Sequence, residues 1–516
     1  MRNGARVRWG REGQVNDLPL ASLAVWVPLV GALITSLAPR HRTPWWGLAG
    51  ALVSAMASLG LVVDVAREGP RQESLGGWGA PLGIELWVDG LAALMVAMCA
   101  VVGLAVSVYA VAYFKPDGPN GGHAEESQLR RQAYFWRLWL LVWAAMVAAF
   151  VSADLFNLYV AIEVLGLGAV SLVALAGGRA LPAALRYLYV TLCGSLFYLS
   201  GVVLLYGDIG ALDMATLGGR LAQGPTATAA LTLMVVGLSL KTALFPLHFW
   251  LPQAHADAPA PVSALLSALV IKVTFYILIR LGVTVFAGVG AAQAGGVLLV
   301  LGVIAILWGS LRALLQTRLK MMVAYSTVAQ VGYLFVVLGL APRTEASVVW
   351  QAGAYFMIAH ACAKGAMFLA AGAIARAVGH DQIGQMRGVG QGLALPFFAF
   401  GLGGISLMGL PPSGGFVAKW LFITGAVASG DVIVVIALAG GGLLAAAYVV
   451  KTLGLAFERA PREGAPSLRP ISPLLGWSAM ALAAVAVILG VAAGAPLALL
   501  EVGLPFGSSL AEGVSP

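Results

Sequence analysis

Apolar runs of roughly 18–25 residues recur along the whole chain, separated by short polar segments, and each is long enough to cross a hydrocarbon core of ~30 Å. The pattern predicts spans near 18–38, 45–66, 86–113, 134–152, 155–177, 184–206, 227–251, 260–286, 294–315, 320–341, 347–376, 391–428, 431–457 and 471–500. The fold class is therefore an all-α polytopic membrane protein of about 14 transmembrane helices. Two spans are interrupted. The seventh contains KTALFPLHFWLP, with Pro246 and Pro252, and the twelfth contains SLMGLPPSGGFVAKW, with Pro411 and Pro412. Proline removes a backbone donor and clashes with the preceding turn, so both helices are expected to break within the membrane.

Broken helices in corresponding positions of two halves point to a transporter made of inverted repeats, with its site at the breaks. Taking spans 4–8 as one five-helix unit and 9–13 as the next puts each break on the fourth helix of its unit, and an odd number of crossings inverts the second unit. The expected organisation is an N-terminal three-helix region at 1–133, a first repeat at 134–286, a second at 294–457, and a C-terminal helix and tail at 458–516. Two unrelated proline kinks are the simpler alternative.

Composition agrees with a lipid environment, since 60% of residues are hydrophobic and only 10% charged, against about 25% charged in soluble domains. The net charge of +8 lies between the apolar runs, so it reads as membrane orientation rather than nucleic-acid binding. Arg40, Arg42, Lys115, Arg130, Arg131, Arg179, Arg318, Lys320, Arg376, Arg387, Arg459, Arg462 and Arg469 fall on one side, which should be cytoplasmic. Arg2, Arg6, Arg8 and Arg11 fall on the other. The expected location is the cell inner (plasma) membrane, and the basic N-terminus leads into a full span rather than a cleaved signal peptide.

Cys99, Cys193 and Cys362 each lie in an apolar run without CxxC spacing, so neither a disulfide framework nor a metal site is expected. No phosphate-binding glycine loop, dinucleotide fingerprint or HExxH motif is present, so no nucleotide, cofactor or metal of its own is expected. The energy for any pumping then comes from an ion gradient or from partner subunits, which implies a multi-subunit complex.

The 23 arginines hold the loops, whereas four of the seven lysines, Lys241, Lys272, Lys364 and Lys419, enter apolar runs. An ionisable group there costs roughly 2.5–3.5 kcal/mol on insertion scales. Arginine does not release its proton and lysine can, so this division suits proton transfer. Glu163, about nine residues beyond Asp154, sits near mid-membrane, and Lys241, just before the Pro246 break, is its candidate partner. A structural ion pair is the alternative for any one of these residues; one carboxylate does not pair four lysines. His360 and Lys364 share a helix face at i, i+4, which suggests a relay. His248 and His255 flank the seventh-span break and either admit protons or satisfy carbonyls freed by proline.

These segments resemble the proton-conducting antiporter-like family: the large membrane subunits of respiratory complex I, related membrane-bound hydrogenases, and multi-subunit Na⁺/H⁺ antiporters. The matching stretches are GIELWVDGLAAL, DLFNLYVAIEVL, LKTALFPLHFWLPQAHADAPAPVSALLSALVIK, RLKMMVAYSTVAQVGY, HACAKGAMFLAAG and LPPSGGFVAKW, within roughly residues 84–425. The resemblance implies a Glu163–Lys241 pair, a central Lys272 and a terminal Lys419. Gln330 stands where the middle complex I subunit carries histidine, so a tenth-helix histidine relay is in question. The His360–Lys364 pair, lysine at 419 and an end soon after the fourteenth span look most like the D-type antiporter subunit.

The expected function is a proton-translocating subunit of a multi-subunit membrane complex. A subunit of a redox-driven pump is the alternative, and a non-transporting scaffold the contrasting class. Any enzymatic role would belong to such a redox complex as a whole. One deep carboxylate is a poor Na⁺ site, so protons are expected here and any Na⁺ in partner subunits.

Overall fold

The computed structural model describes residues 18–80, 83–115, 123–287, 289, 291–343, 347–459 and 468–503; the N-terminal arginines and Arg462 lie outside the described residues. Among the described residues thirteen helices are long and apolar enough to cross a membrane. In order they are Leu20–Leu37, Arg40–Glu68, Gly90–Tyr113, Glu126–Val151, Leu155–Ala174, Ala180–Ile209, Pro225–Asp257, Ala260–Val283, Ala294–Leu314, Leu319–Arg343, Val348–Val378, Val432–Phe457 and Pro473–Val491. The expected twelfth span is present as two half-helices, Ala394–Met408 and Gly414–Ala428, which makes Val432–Phe457 the thirteenth and Pro473–Val491 the fourteenth.

The spans divide into a shielded centre and a lipid-facing periphery. The eighth and eleventh are wholly buried over their apolar windows and the tenth is 89% buried, whereas the first is only 28% buried. Peripheral spans turn large apolar side chains outward: Ile433, Ile436, Leu443 and Val450 of the thirteenth are all exposed. Outward Leu and Ile are stable in lipid, while a charge is tolerable only where neighbouring helices screen it from hydrocarbon.

Contacts between loops establish the alternation of the crossings. Arg318, before the tenth span, pairs with Asp257 at the end of the seventh and Asp381 after the eleventh, at 3.0 and 2.9 Å. Arg40 pairs with Glu126 at 3.1 Å on the same side. On the opposite side Arg343 meets Asp431, and Asp154 bridges to Asp213. All described loops that carry the expected cluster of basic residues therefore share one side. A two-stranded antiparallel hairpin, β1 (Arg71–Ser74) with β2 (Glu85–Val88), joins the second and third spans and adds to the helical architecture.

Both breaks are built alike. The first half of the seventh span ends at Thr242, where Ala243 takes a left-handed conformation (φ 63°) and Leu244 N–H returns to the Ser239 carbonyl. The Leu240 carbonyl, freed by the break, accepts from Trp250 Nε1 at 3.1 Å. The first half of the twelfth span ends at Met408 with left-handed Gly409 (φ 82°), and Ser413 caps the second half by accepting from Phe416 N–H. Each break also contains one cis X–Pro peptide, Phe245–Pro246 and Pro411–Pro412.

Candidate functional site

Lys241 sits in the last turn before the seventh-span break and is 6% exposed. Its Nζ lies 3.8 Å from Glu163 Oε1, donates to Thr191 Oγ1 at 2.8 Å and reaches the Ile162 carbonyl at 3.5 Å. Asp154 starts the fifth span by accepting from Asn157 N–H, which places Glu163 mid-helix as expected. Burial raises the Asp154 carboxyl above its usual value; the Asn157 and Phe156 N–H groups oppose this and nearby Asp213 adds to it. The space for Lys241 depends on Gly194, where a Cβ would lie 2.9 Å from Lys241 Cγ.

From this pair, polar groups continue inward. Thr242 Oγ1 lies 2.8 Å from Thr274 Oγ1 of the eighth span, two residues beyond Lys272. Lys272 is fully buried, and the helix just before it, Leu266–Val270, widens into a π-turn. Such a turn redirects carbonyls from the regular ladder, and the Ser267 carbonyl accepts from Lys272 Nζ. Ser267 Oγ lies 2.9 Å from Thr327 Oγ1 of the tenth span, and Thr327 donates to the Val323 carbonyl at 3.1 Å. That carbonyl also receives Lys364 Nζ at 3.0 Å, and Lys364 donates further to Ser326 Oγ. Lys272 and Lys364 are thus joined through hydroxyls and carbonyls of the eighth and tenth spans.

His360 shares the eleventh span with Lys364 but makes no hydrogen bond with it. Its ring stacks on Phe356 at 5.5 Å, both nitrogens are buried without a partner among the described residues, and it interacts electrostatically with Lys272, Lys364 and Lys419. Lys419, on the second half of the twelfth span, donates to the Leu407 carbonyl at 2.6 Å and Met408 at 3.4 Å, the last carbonyls of the first half. These carry the negative end of the helix dipole and favour a cation. The same ammonium lies 4.4 Å from the centre of the Tyr333 ring, which stacks on Phe356.

The two break histidines differ. His248 is partly exposed, stacked on Phe245 and under the electrostatic influence of Arg312. His255 is fully buried and interacts electrostatically with Lys364, Lys272 and Lys320.

Three side-chain features escape the sequence reading. Lys320, expected in a loop, is 8% exposed and donates to the Ala258 carbonyl, because the tenth helix begins one residue earlier and carries it under the seventh–eighth connection. Arg280 corrects the expectation that arginine stays in loops: it is buried in the eighth span and forms a two-pronged pair with fully buried Asp89. Its Nε also donates to Tyr276 Oη, which donates to the Phe150 carbonyl, tying three spans together. The third feature is the Ser267–Thr327 bridge, for which isolated Ser and Thr in apolar helices give no signal. Among the described residues no three His, Cys, Asp or Glu side chains gather to hold a metal ion.

Residues 152–445 match the family described as NADH:quinone oxidoreductase/Mrp antiporter, transmembrane. The chain is 37% identical to the N-type subunit of the NADH-quinone oxidoreductase of Desulforudis audaxviator, over 88% of this chain and 90% of that one. It is 30% identical to the D-type subunit of the Na⁺/H⁺ antiporter of Alkalihalophilus pseudofirmus, over 92% of this chain and 94% of that one. It superposes on a chain of the Mrp complex of Dietzia sp. DQ12-45-1b with a TM-score of 0.84 and 25% identity, covering 95% of this chain and 98% of that one.

Proposed function

The chain belongs to the NADH:quinone oxidoreductase/Mrp antiporter transmembrane family, and we propose that within it the chain is a proton-carrying subunit of a multi-subunit plasma-membrane complex, most like the D-type subunit of a Na⁺/H⁺ antiporter. One observation carries the reading: a lysine at each helix break, with two further lysines between them joined by the Ser267–Thr327–Val323 bridge. Among the described residues only the Lys241 end has a carboxylate, Glu163, within ion-pair distance.

In this reading spans 4–8 and 9–13 are the two inverted repeats. Protons come in beside the seventh-span break, where His255 lies, pass to Lys272, move by way of His360 and Lys364 to Lys419, and leave on the opposite side. His248 and His255 are the two candidate entry residues. Opening and closing the Glu163–Lys241 pair switches the first repeat, because an adjacent carboxylate stabilises an ammonium ion. Any Na⁺ passes through partner subunits.

The 37% identity to an NADH-quinone oxidoreductase subunit supports a second reading, an antiporter-like subunit powered by a redox partner. Both predict proton transfer along the same residues and differ in driving force. Purification in mild detergent with identification of the co-purifying subunits separates them. Proton transport by the assembled complex, measured for Lys241→Ala and Lys272→Ala, tests what they share: both variants are expected to lose transport while still assembling. Wild-type transport in both would refute the shared reading.

A further inference from the structure

A cavity of about 570 Å³ opens on the basic side of the molecule, among the ends of the third, fifth, seventh and eleventh spans and the starts of the fourth, eighth and tenth. Its lining includes Tyr113, Ser127, Arg131, Asp257, Lys320 and Arg376. Ser127 is exposed at the rim and Lys320 is buried below it. The seventh and eighth spans are joined here by a short turn, and the Ala258 carbonyl in that turn accepts from Lys320 Nζ. Arg318 ties Asp257 and Asp381 together at 3.0 and 2.9 Å and braces the three loops around this floor. Burial alone would lower the Arg318 guanidinium, but Asp381 and Asp257 outweigh that and raise it, so the clamp stays charged.

We propose that this cavity is a proton vestibule and that Lys320 at its floor passes protons to His255, which delivers them to Lys272 and Lys364. The inference rests on the proposed proton-carrying function and adds to it a loading site and one more carrier residue. Three observations support it. Lys320 is the buried lysine that lines the cavity, whereas Lys241, Lys272, Lys364 and Lys419 do not. His255 lies on the last helix before the seventh–eighth turn, just ahead of Ala258, whose carbonyl holds Lys320; both its ring nitrogens are buried without a partner among the described residues, and Lys320, Lys272 and Lys364 all act on it electrostatically. The charged groups acting on Lys320 are Asp257, Asp381 and Arg318, and Arg318 holds both carboxylates. Both carboxylates are thus engaged by Arg318, whose single charge offsets part of theirs, and neither stands within ion-pair distance of Lys320 among the described residues.

The test is proton transport by the assembled complex in vesicles, with Lys320→Arg, Lys320→His and a labelled rim. Arginine keeps the charge and the donor to Ala258 but does not release a proton. Lys320→Arg is expected to assemble and to lose at least tenfold in transport. Lys320→His restores a titrating group and is expected to regain transport with its pH optimum moved down, since imidazole titrates near ~6.5. For the rim, Ser127→Cys in a Cys193→Ser background, labelled with a charged membrane-impermeant thiol reagent, is expected to block transport only when the reagent is added on the basic side. Wild-type transport in Lys320→Arg, or full labelling of Ser127→Cys without effect, overturns the inference. If Lys272→Ala is inactive in the same preparation, that failure is confined to the vestibule; if Lys272→Ala also transports normally, the proposed function falls with it.

Discussion

Replacing Glu163 with glutamine keeps the shape of the side chain and removes its charge, leaving Lys241 with Thr191 at 2.8 Å and the Ile162 carbonyl at 3.5 Å. At the observed 3.8 Å separation, with an effective dielectric of about 20, the lost attraction is about 4 kcal/mol. Glu163→Asp shortens the side chain by one C–C bond of ~1.5 Å. The pair then stands about 5.3 Å apart and keeps about 3 kcal/mol. Each 1.36 kcal/mol expressed in the rate-limiting step is about tenfold, so the ceilings are about tenfold for aspartate and about a thousandfold for glutamine. Water at the partly exposed carboxylate lowers both figures without changing their order. The assay is proton-gradient dissipation or formation in inverted vesicles carrying equal amounts of assembled complex. The expected order is wild type, then Glu163→Asp, then Glu163→Gln. Wild-type transport in Glu163→Gln, or equal loss in both variants, would refute the switch, because a charge-dependent step must follow the distance.

Thr327→Val breaks the bridge between Lys272 and Lys364 and is expected to slow transport by about tenfold or more, at ~1–3 kcal/mol for an unmet buried hydrogen bond; Thr327→Ser, measured beside it, is expected to stay near wild type. Asp89→Asn leaves the buried Arg280 guanidinium uncompensated at a cost of about 3–5 kcal/mol, which thermal-shift measurement of the detergent-solubilised complex should detect. The double change Asp89→Leu with Arg280→Met is expected to recover part of that loss. Gly409→Ala puts a Cβ 2.6 Å from Lys419 Cδ on a backbone with φ 82°, so transport is expected to drop sharply even where assembly, followed by subunit co-purification, is retained.

The spans and both breaks were legible because lipid offers the backbone no hydrogen-bonding partners. Each crossing must be a long apolar run, and a proline inside one shows at once. Lys241, Lys272, Lys364, Lys419 and Glu163 were legible because a charge in such a run is costly and therefore rare. Lys320 was not, since in TRLKMM it follows Arg318 at a helix start, where basic residues ordinarily mark a loop. Nor was the Asp89–Arg280 pair, whose members are 191 residues apart and meet only when the third and eighth spans pack. The π-turn at Leu266–Val270 has no composition of its own, and hydroxyls such as Ser267 and Thr327 can return to their own helix in any span. Stretches as short as RQES and ELWV do not separate strand from loop or span by pattern, which left the hairpin unseen.

The partners of the buried lysines bear directly on their use as carriers. Lys272 is held by the Ser267 carbonyl in the π-turn, Lys320 by Ala258 in the seventh–eighth turn, Lys364 by Val323, and Lys419 by Leu407 at the end of a half-helix. A carboxylate in these places would bind the ammonium form far more strongly than the amine and would retain the proton. A carbonyl is an uncharged acceptor, and a neutral amine still has N–H groups to offer it. Each lysine therefore keeps its position before and after it gives up a proton, so the row is not rebuilt at every step. Irregular backbone, which membrane interiors tolerate only where side chains satisfy it, provides the acceptors at Ser267 and Leu407. Among the described residues Lys241 alone of the five stands within ion-pair distance of a carboxylate, at 3.8 Å from Glu163, and is for that reason the position where proton release requires a change in geometry.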